Sequence, residues 1–251
     1  MPSSPDPGRA GRLRGVTYAH RGLHGNGRIE NSPSAFAAAI AAGHGIECDV
    51  RRSADGRAIV FHDRELDRLT GETGPVAARS AAELARIALR GTGETIPTLR
   101  DLLDLVAGQV PLLIELKNKR ERPAAPLCRA VLRDLEGYRG PHAVMSFDPR
   151  VSAWFARRSP GTARGLVVSE ANARTLVAAF KRHLALWRAR PDFLAYDVRD
   201  LPSRFAASQR ARGLPVLTWT VATAALRRRA AEHADGWICE AEGVATASAG
   251  A

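Results

Sequence analysis

Short apolar runs alternate along most of the chain with longer stretches rich in Ala, Leu and Arg. Apolar runs of this length between stretches of helical periodicity indicate βα units and a parallel sheet. The pattern predicts strands at residues 16–22, 45–51, 58–62, 111–117, 142–147, 164–169, 193–198, 215–221 and 235–239. It predicts helices at residues 33–42, 81–89, 98–107, 125–135, 150–158, 172–188, 203–212 and 223–233. The first helix has the clearest boundaries, because Ser32 is a good N-cap, Pro33 suits the first helical position and Gly43 suits the C-terminal end.

The third predicted strand does not fit the alternation. Only residues 52–57 separate it from the second strand, and the Asp55-Gly56 dipeptide is a hairpin turn signal. A parallel crossover needs a dozen or more residues, so these two strands are predicted to be antiparallel neighbours. The remaining eight strands predict a TIM-type (β/α)8 barrel with a short β-hairpin excursion after the second strand. Residues 1–14, rich in Pro, Gly and Arg, are predicted to be a disordered N-terminal extension, and residues 15–251 the barrel domain.

The charge of the chain is strongly positive, with 37 Lys and Arg against 26 Asp and Glu and a net charge of +11. Only Lys117, Lys119 and Lys181 are lysines, and so extreme a preference for arginine indicates codon bias over the whole surface. The predicted helix at 172–188 carries Leu176, Phe180, Leu184 and Trp187 on one side and Arg174, Lys181 and Arg188 on another. We interpret its basic side as a solvated face, predict no nucleic-acid partner, and expect the charge to attract an anionic small-molecule substrate.

The chain shows no signal for membrane insertion or secretion. No apolar run approaches the ~20 residues of a membrane-spanning helix, and the first 14 residues lack the apolar segment of a secretory signal. Cys48, Cys128 and Cys239 are too few and too scattered for a disulfide framework or a structural zinc site. The expected location is therefore the cytoplasm, with no stable membrane insertion.

Polar residues that could carry chemistry collect at the ends of the predicted strands. The first strand ends in His20 and Arg21; Glu47 and Asp49 share one face of the second strand, as Glu115 and Lys117 do on the fourth. If the hairpin turns at Asp55-Gly56, paired positions sum to about 111, which puts His62 opposite Asp49 or its neighbour. In α/β barrels, catalysis takes place at the rim formed by the carboxyl ends of the strands.

This set of residue types suits the cleavage of a phosphodiester. Three carboxylates in one barrel mouth repel one another unless a cation lies among them, and oxygen-only ligands favour Mg²⁺ or Ca²⁺. Arg21 and Lys117 are compatible with such a metal if the ligand is a phosphate. Two histidines can accept one proton and deliver another. We therefore predict metal-assisted phosphodiester cleavage at this rim.

These residues, taken in order, also resemble a known family. The segments that carry the resemblance are His20-Arg21-Gly22, Glu30-Asn31, Glu47-Cys48-Asp49-Val50, Asp55-Gly56, His62-Asp63, Ile96-Pro97-Thr98-Leu99, Glu115-Leu116-Lys117, Ser146-Phe147, Thr218-Trp219-Thr220-Val221 and Asp235-Gly236. Together they resemble the glycerophosphodiester phosphodiesterase family over residues 16–240. One departure is Ile238-Cys239-Glu240, where the family more often has Ile-Thr-Asp.

The resemblance implies a role for each matching residue. It makes His20 and His62 the acid/base pair, and Glu47, Asp49 and Glu115 the ligands of a divalent metal ion (Mg²⁺ or Ca²⁺). It implies that Arg21 and Lys117 bind the phosphate of the substrate and that Trp219 lines the glycerol side of the site. The implied reaction releases glycerol 3-phosphate and an alcohol from substrates such as glycerophosphocholine or glycerophosphoethanolamine.

Two other functions stay open on the sequence alone. A phospholipase D-like or cyclising phosphodiesterase acting on lysophospholipids could use the same residues, but it should expose an apolar anchor, and the sequence shows no obvious one. A non-enzymatic polyanion-binding protein would use the net charge, but it needs neither the histidine pair nor the carboxylates.

Overall fold

The computed structural model describes residues 6, 8–118, 121–170 and 175–240. The strands in these residues are β1 (Thr17–His20), β2 (Gly45–Arg52), β3 (Ala58–Val60), β4 (Leu112–Leu116), β5 (His142–Ser146), β6 (Ala163–Val168), β7 (Phe193–Asp197), β8 (Val216–Val221) and β9 (Gly236–Cys239). The helices are α1 (Pro33–Ala41), α2 (Ala81–Leu84), α3 (Leu99–Val106), α4 (Ala125–Leu135), α5 (Pro149–Arg158), α6 (Leu176–Ala189), α7 (Arg204–Ala211) and α8 (Ala224–His233). Each predicted strand and helix is present, and α2 is the one that is much shorter than predicted.

The sheet has the predicted topology. Its hydrogen-bonded order is β1-β9-β8-β7-β6-β5-β4-β2-β3, with a further pairing between β1 and β2. Strand β2 runs parallel to β4 and antiparallel to β3. The fold is therefore an eight-stranded parallel α/β barrel with β3 as one extra strand. The chain divides into two compact units, residues 19–142 and residues 1–18 with 143–251, which are described in turn.

In the unit of residues 19–142, the segment between β3 and α3 has an apolar cluster of its own. The cluster comprises Ile59, Phe61, Leu66, Leu69, Val76, Leu84, Leu89 and Ile96. Helix α1 begins as predicted, since Ser32 accepts a hydrogen bond from the Ala35 backbone N–H and Pro33 occupies the first turn. Burial of the apolar cluster holds the chain on both sides of His62 in place.

The hairpin has the predicted register to within one residue. Arg52 pairs with Ala58 and Val50 with Val60, so paired positions sum to 110. The Ser53 backbone N–H donates to the Arg57 carbonyl, which leaves three residues in the loop, and Gly56 adopts φ +81°. A three-residue hairpin loop with glycine at its left-handed position is a common alternative to the two-residue turn.

In the unit of residues 1–18 and 143–251, the segment before β1 is packed. Residues 11–13 form a 3₁₀ turn, and Ala10 and Leu13 are buried. The Arg9 guanidinium contacts the buried carboxylate of Asp192 at 2.9 Å. Apolar burial and this ion pair thus involve residues within 8–14, which belong to the segment predicted to be disordered. Residues 1–5 and 7 lie outside the described residues.

Helix α6 belongs to the same unit and begins at Leu176 instead of residue 172, and Arg174 lies outside the described residues. Its apolar side is exposed: Phe180 retains 68% of its accessible surface and Trp187 retains 75%. The sequence showed no obvious apolar anchor, whereas the structure exposes this apolar side of α6. Among the described residues, no helix is both long and apolar enough to span a membrane.

Candidate active site

Three buried carboxylates converge where β2 and β4 lie side by side. Glu47 and Asp49 are two residues apart on β2 and share a face, and the parallel register places Asp49 beside Glu115 of β4. One oxygen from each of the three side chains lies within 4.8 Å of the others. Cys48, between Glu47 and Asp49, is also buried, as expected for a core residue on the other face. The two strands thus concentrate negative charge at one point.

Burial and mutual repulsion act strongly on these carboxylates. Burial, together with the charges of Asp49 and Glu115, raises the pKa of Glu47 well above its ordinary value. Burial likewise raises the pKa of Glu115. Burial would also raise the pKa of Asp49, but the positive charges of Lys117 and Arg21 outweigh it and hold that pKa low. The site therefore carries more carboxylate than its own cations neutralise.

The residues present fit a divalent cation. Glu47 Oε1 is buried and accepts no hydrogen bond from any residue that the structure describes. An unsatisfied carboxylate oxygen beside two further carboxylates is a costly arrangement in a protein interior unless a cation completes it. An all-oxygen donor set is the kind that Mg²⁺ and Ca²⁺ prefer. The triad is thus suited to hold such an ion.

Two cations border the carboxylates. Lys117 Nζ lies 2.9 Å from Glu115 Oε1 and 3.0 Å from Asp49 Oδ1. Arg21 Nε lies 3.1 Å from Asp49 Oδ2, and the Arg21 backbone N–H donates to Glu47 Oε2 at 3.2 Å. Burial alone would lower the pKa of Lys117. The negative charges of Glu115, Asp49 and Glu47 outweigh burial and raise that pKa above its ordinary value, so Lys117 stays charged. Ion pairs with the carboxylates therefore hold both cations beside the triad.

The two predicted histidines differ in their surroundings. His20 Nε2 lies 3.8 Å from Glu47 Oε2. His62 Nδ1 lies 2.7 Å from Asp63 Oδ1, a contact that fixes the orientation of the ring and leaves Nε2 as the other reactive position. Burial lowers the pKa of His62 despite the opposing charge of Asp49, which favours the neutral, proton-accepting form near pH 7.

An outer set of ion pairs supports these groups. Arg68 contacts Asp63 Oδ2 at 2.5 Å and Glu30 Oε1 at 2.7 Å, and Glu30 in turn accepts from Arg21 at 2.8 Å. Asp63 is partly desolvated, yet its bonds from Arg68 and His62 lower its pKa to about 2. Arg68 therefore connects Asp63, the partner of His62, with Glu30, the partner of Arg21. This connection was not predicted from the sequence.

Asn31 is a second residue whose role the sequence analysis missed. Ser32 caps the following helix as predicted, so capping is not the role of Asn31. Asn31 is buried, adopts φ +58° and hydrogen-bonds to Asp49. Its residue type was the one available signal, because Asn tolerates the left-handed conformation better than most residues.

Trp219 lies on β8, in the unit of residues 1–18 and 143–251. Its indole Nε1 donates to the Ala195 carbonyl at 3.0 Å, and its ring meets that of Phe147 edge-on with centroids 5.6 Å apart. The indole is only partly buried. Seven of the eight predicted site residues thus lie in residues 19–142, and Trp219 lies in the other unit.

A basic pocket of about 240 Å³ adjoins Lys117. Its cationic lining consists of Arg51, Arg52, Arg64, Lys117 and Arg122, and no acidic residue is among the residues that line it. Arg51 Nε donates to the His62 carbonyl at 2.6 Å, which ties the pocket to the histidine. The pocket offers an anion several positive partners beside the carboxylates.

Comparison with known proteins identifies the family. The family model described as "Glycerophosphoryl diester phosphodiesterase family" matches residues 20–246. A glycerophosphodiester phosphodiesterase of Bacillus altitudinis is 41% identical over 110 residues, which are 40% of this chain and 44% of that protein. The match thus spans less than half the length of that curated relative.

Solved structures of similar proteins share this fold over nearly the whole chain. A Silicibacter pomeroyi protein, solved as a candidate glycerophosphoryl diester phosphodiesterase, is 28% identical with a TM-score of 0.80, covering 94% of this chain and 95% of that one. The glycerophosphodiester phosphodiesterase of Thermotoga maritima is 26% identical with a TM-score of 0.72, covering 89% and 93%. On its residues, its fold and these matches, the chain belongs to the glycerophosphoryl diester phosphodiesterase family.

Proposed function

We propose that the protein hydrolyses glycerophosphodiesters, such as glycerophosphocholine or glycerophosphoethanolamine, to glycerol 3-phosphate and an alcohol. The observation that carries this proposal is the buried carboxylate triad, bordered by Lys117 and Arg21 and accompanied by two histidines within the same unit. Family membership supplies the substrate class. The curated relatives support it over the segments that they share with this chain.

Glu47, Asp49 and Glu115 would hold a divalent cation, Mg²⁺ or Ca²⁺. When bound, such an ion stabilises the negative charge that develops on the phosphate oxygens. Lys117 and Arg21 bind the phosphate, and Arg21 has a second carboxylate partner, Glu30, that keeps its guanidinium in place. The basic pocket beside Lys117 adds a positive field along the approach of an anionic substrate.

His20 and His62 perform the proton transfers. One histidine accepts the proton of the glycerol 2-hydroxyl, whose oxygen attacks phosphorus while the bond from phosphorus to the leaving oxygen breaks. The other histidine donates a proton to that leaving oxygen, and water later opens the cyclic phosphate. Direct attack by water uses the same two histidines and remains the alternative route. Asp63 orients His62, and Trp219 lines the glycerol side.

The test is release of glycerol 3-phosphate from glycerophosphocholine and glycerophosphoethanolamine with Mg²⁺, Ca²⁺, Mn²⁺ or EDTA. We expect metal-dependent release that falls at least ~100-fold in His20→Ala and His62→Ala, since general acid–base catalysis contributes about 10²–10⁴-fold. His233→Ala, a surface histidine at the end of α8, is the matched control and should retain the rate. A folded protein that releases no product with any of these metals overturns the proposal.

The exposed apolar side of α6 favours a second candidate, a phospholipase D-like or cyclising phosphodiesterase that acts on lysophospholipids. Such a substrate keeps the same phosphodiester but adds an acyl chain. Comparing kcat/KM for lysophosphatidylcholine and glycerophosphocholine under the same metal conditions decides between the two. A higher kcat/KM for lysophosphatidylcholine than for glycerophosphocholine, with both activities lost in His62→Ala, would replace the first proposal by the second.

A further inference from the structure

Helix α6 presents a row of large apolar side chains to the outside and most of its alanines to the inside. Leu176, Val177, Phe180, Leu184 and Trp187, which we call the α6 face, retain 89%, 62%, 68%, 39% and 75% of their accessible surface. At 3.6 residues per turn, these five positions fall within an arc of about 100°. The opposite side is rich in alanine, with Ala189 fully buried and Ala185 packed against the core beside Leu186.

This is the reverse of an ordinary surface helix, in which the apolar stripe faces the core. Single exposed apolar residues are normal on a soluble protein, but a continuous row of five large ones is not. Two of them are aromatic, and Trp187 lies near the C-terminal end of the helix. A contiguous exposed patch of this kind marks a surface that binds a partner or a membrane.

The surroundings of the α6 face are basic. The helix contains Lys181, Arg182 and Arg188 and no acidic residue, and Lys181 and Arg188 are exposed along one border of the face. Trp187 also lines an open cavity of about 950 Å³. The cationic lining of that cavity consists of Arg150, Arg157, Arg188, Arg190 and Arg212, with no acidic residue among the lining residues. A partner of this surface therefore has to combine an apolar part with negative charge.

The segments of this sequence outside the described residues have few large apolar side chains that could cover the face. The segments outside the described residues are 1–5, 7, 119–120, 171–174 and 241–251, and Met1 and Val244 are their only large apolar residues. A second copy about a two-fold axis would bring like surfaces together, so the basic border of one copy would oppose that of the other. An anionic lipid surface satisfies both the apolar and the charge requirement.

We propose that the α6 face docks the protein on an anionic lipid bilayer. The helix lies in the plane of the interface, with Phe180 and Trp187 at the boundary between headgroups and acyl chains and Lys181 and Arg188 beside the lipid phosphates. A basic helix with aromatic and aliphatic residues on its apolar face is the kind that binds at this depth without spanning the membrane. The proposal does not depend on the phosphodiesterase reaction.

The test is co-sedimentation of the full chain with phosphatidylcholine vesicles that contain or lack phosphatidylglycerol. We expect binding to the anionic vesicles that weakens as salt rises. The double variant Phe180→Ser/Trp187→Ser should bind at least ~10-fold more weakly, because binding scales with the apolar area buried in the interface. Lys181→Gln/Arg188→Gln should bind more weakly at low salt and lose most of the salt dependence.

Leu105→Ser is the matched control, since Leu105 is an exposed apolar residue on α3, outside the α6 face, and its replacement should leave vesicle binding unchanged. Far-UV circular dichroism checks that each variant folds, which is expected because the replaced side chains are exposed. Absence of binding to anionic vesicles, or binding that Phe180→Ser/Trp187→Ser does not weaken, overturns the proposal. Self-association in sedimentation equilibrium that the same double variant abolishes, without vesicle binding, assigns the face to a second copy instead.

Discussion

Asn31 holds Asp49 by both ends of its side-chain amide: Nδ2 donates to Asp49 Oδ2 at 3.0 Å, and Oδ1 accepts from the Asp49 backbone N–H at 3.2 Å. Both residues are buried. Since Asp49 is also the carboxylate that Lys117 and Arg21 contact, this clamp sets the position of the centre of the site. Asn31 is therefore a positioning residue that acts through Asp49.

Replacing Asn31 tests that role. Asn31→Ala should lower metal affinity by about 10–100-fold, the usual effect of removing a group that orients a metal ligand. It should also lower the free energy of unfolding by about 1–3 kcal/mol, because a buried carboxylate loses a donor. Calorimetric metal titration and urea unfolding measure the two effects. Gln109→Ala removes a side-chain amide that donates to the Val106 carbonyl, and metal affinity should not change. Equal losses in both variants would contradict the positioning role.

Glu47→Gln tests whether Glu47 is needed for metal binding and not for folding. Turnover should fall by at least ~100-fold, and the metal should no longer raise the thermal unfolding temperature, because the donor set loses a charged ligand. In EDTA the variant should be more stable than the parent by an amount on the order of 1 kcal/mol, since it removes a carboxylate whose burial and repulsion by Asp49 and Glu115 raise its pKa. Thermal unfolding with metal and with EDTA measures this. Glu65→Gln, at an exposed position, is the control. If the metal still raises the unfolding temperature of Glu47→Gln as it does that of the parent, Glu47 is not a metal ligand.

Arg68→Gln should produce a stability difference that depends on pH. Arg68 helps to lower the pKa of Asp63 to about 2 from 3.8 and to lower that of Glu30 from 4.5. A carboxylate whose pKa is lower in the folded state stabilises the protein above its unfolded pKa and loses that contribution as pH falls toward its folded pKa. The variant should therefore be less stable above pH 5 and approach the parent as pH falls from about 4.5 toward 2.

The size of this effect is limited because the Arg68 side chain is 48% exposed. After solvent screening we expect about 0.5–1 kcal/mol near pH 7, measured by denaturant unfolding at several pH values. Arg86→Gln, at another exposed arginine, should show no such pH dependence. A constant difference across the pH range would mean that Arg68 contributes through packing and not through Asp63 and Glu30.

Gly22→Ala tests the turn that carries Arg21. Gly22 adopts φ +80°, and a Cβ there would lie 2.8 Å from the Ala35 carbonyl carbon. We expect a loss of about 2–4 kcal/mol in unfolding free energy and weaker substrate binding, because the backbone must move beside Arg21. Gly43→Ala has a similar φ, +70°, but open space around it, and should cost only about 1 kcal/mol. Equal losses would mean that the close approach to Ala35 does not matter.

The sequence alone predicted the strands, the barrel and the convergence of most of the candidate site residues. Alternating apolar runs identify strands because each strand must bury at least one face. Once the strands are placed in a parallel barrel, polar residues at their carboxyl ends meet at one rim, which brought Glu47, Asp49, Glu115 and Lys117 together in the prediction. The short connection before β3 required an antiparallel pair, and the structure has one.

Tertiary structure decided what depends on contacts between distant segments. The hairpin loop has three residues, and the Asp55 carboxylate in it accepts hydrogen bonds from Ser53 and from the distant Ala81 backbone N–H. The clamp on Asp49 depends on where the loop carrying Asn31 packs, 18 residues away. For α6, periodicity determined which side chains share a face, but packing decided that the alanines point inward and Phe180 and Trp187 outward. Local sequence sets the period of a helix, whereas the side that is buried depends on the neighbours it meets in the fold.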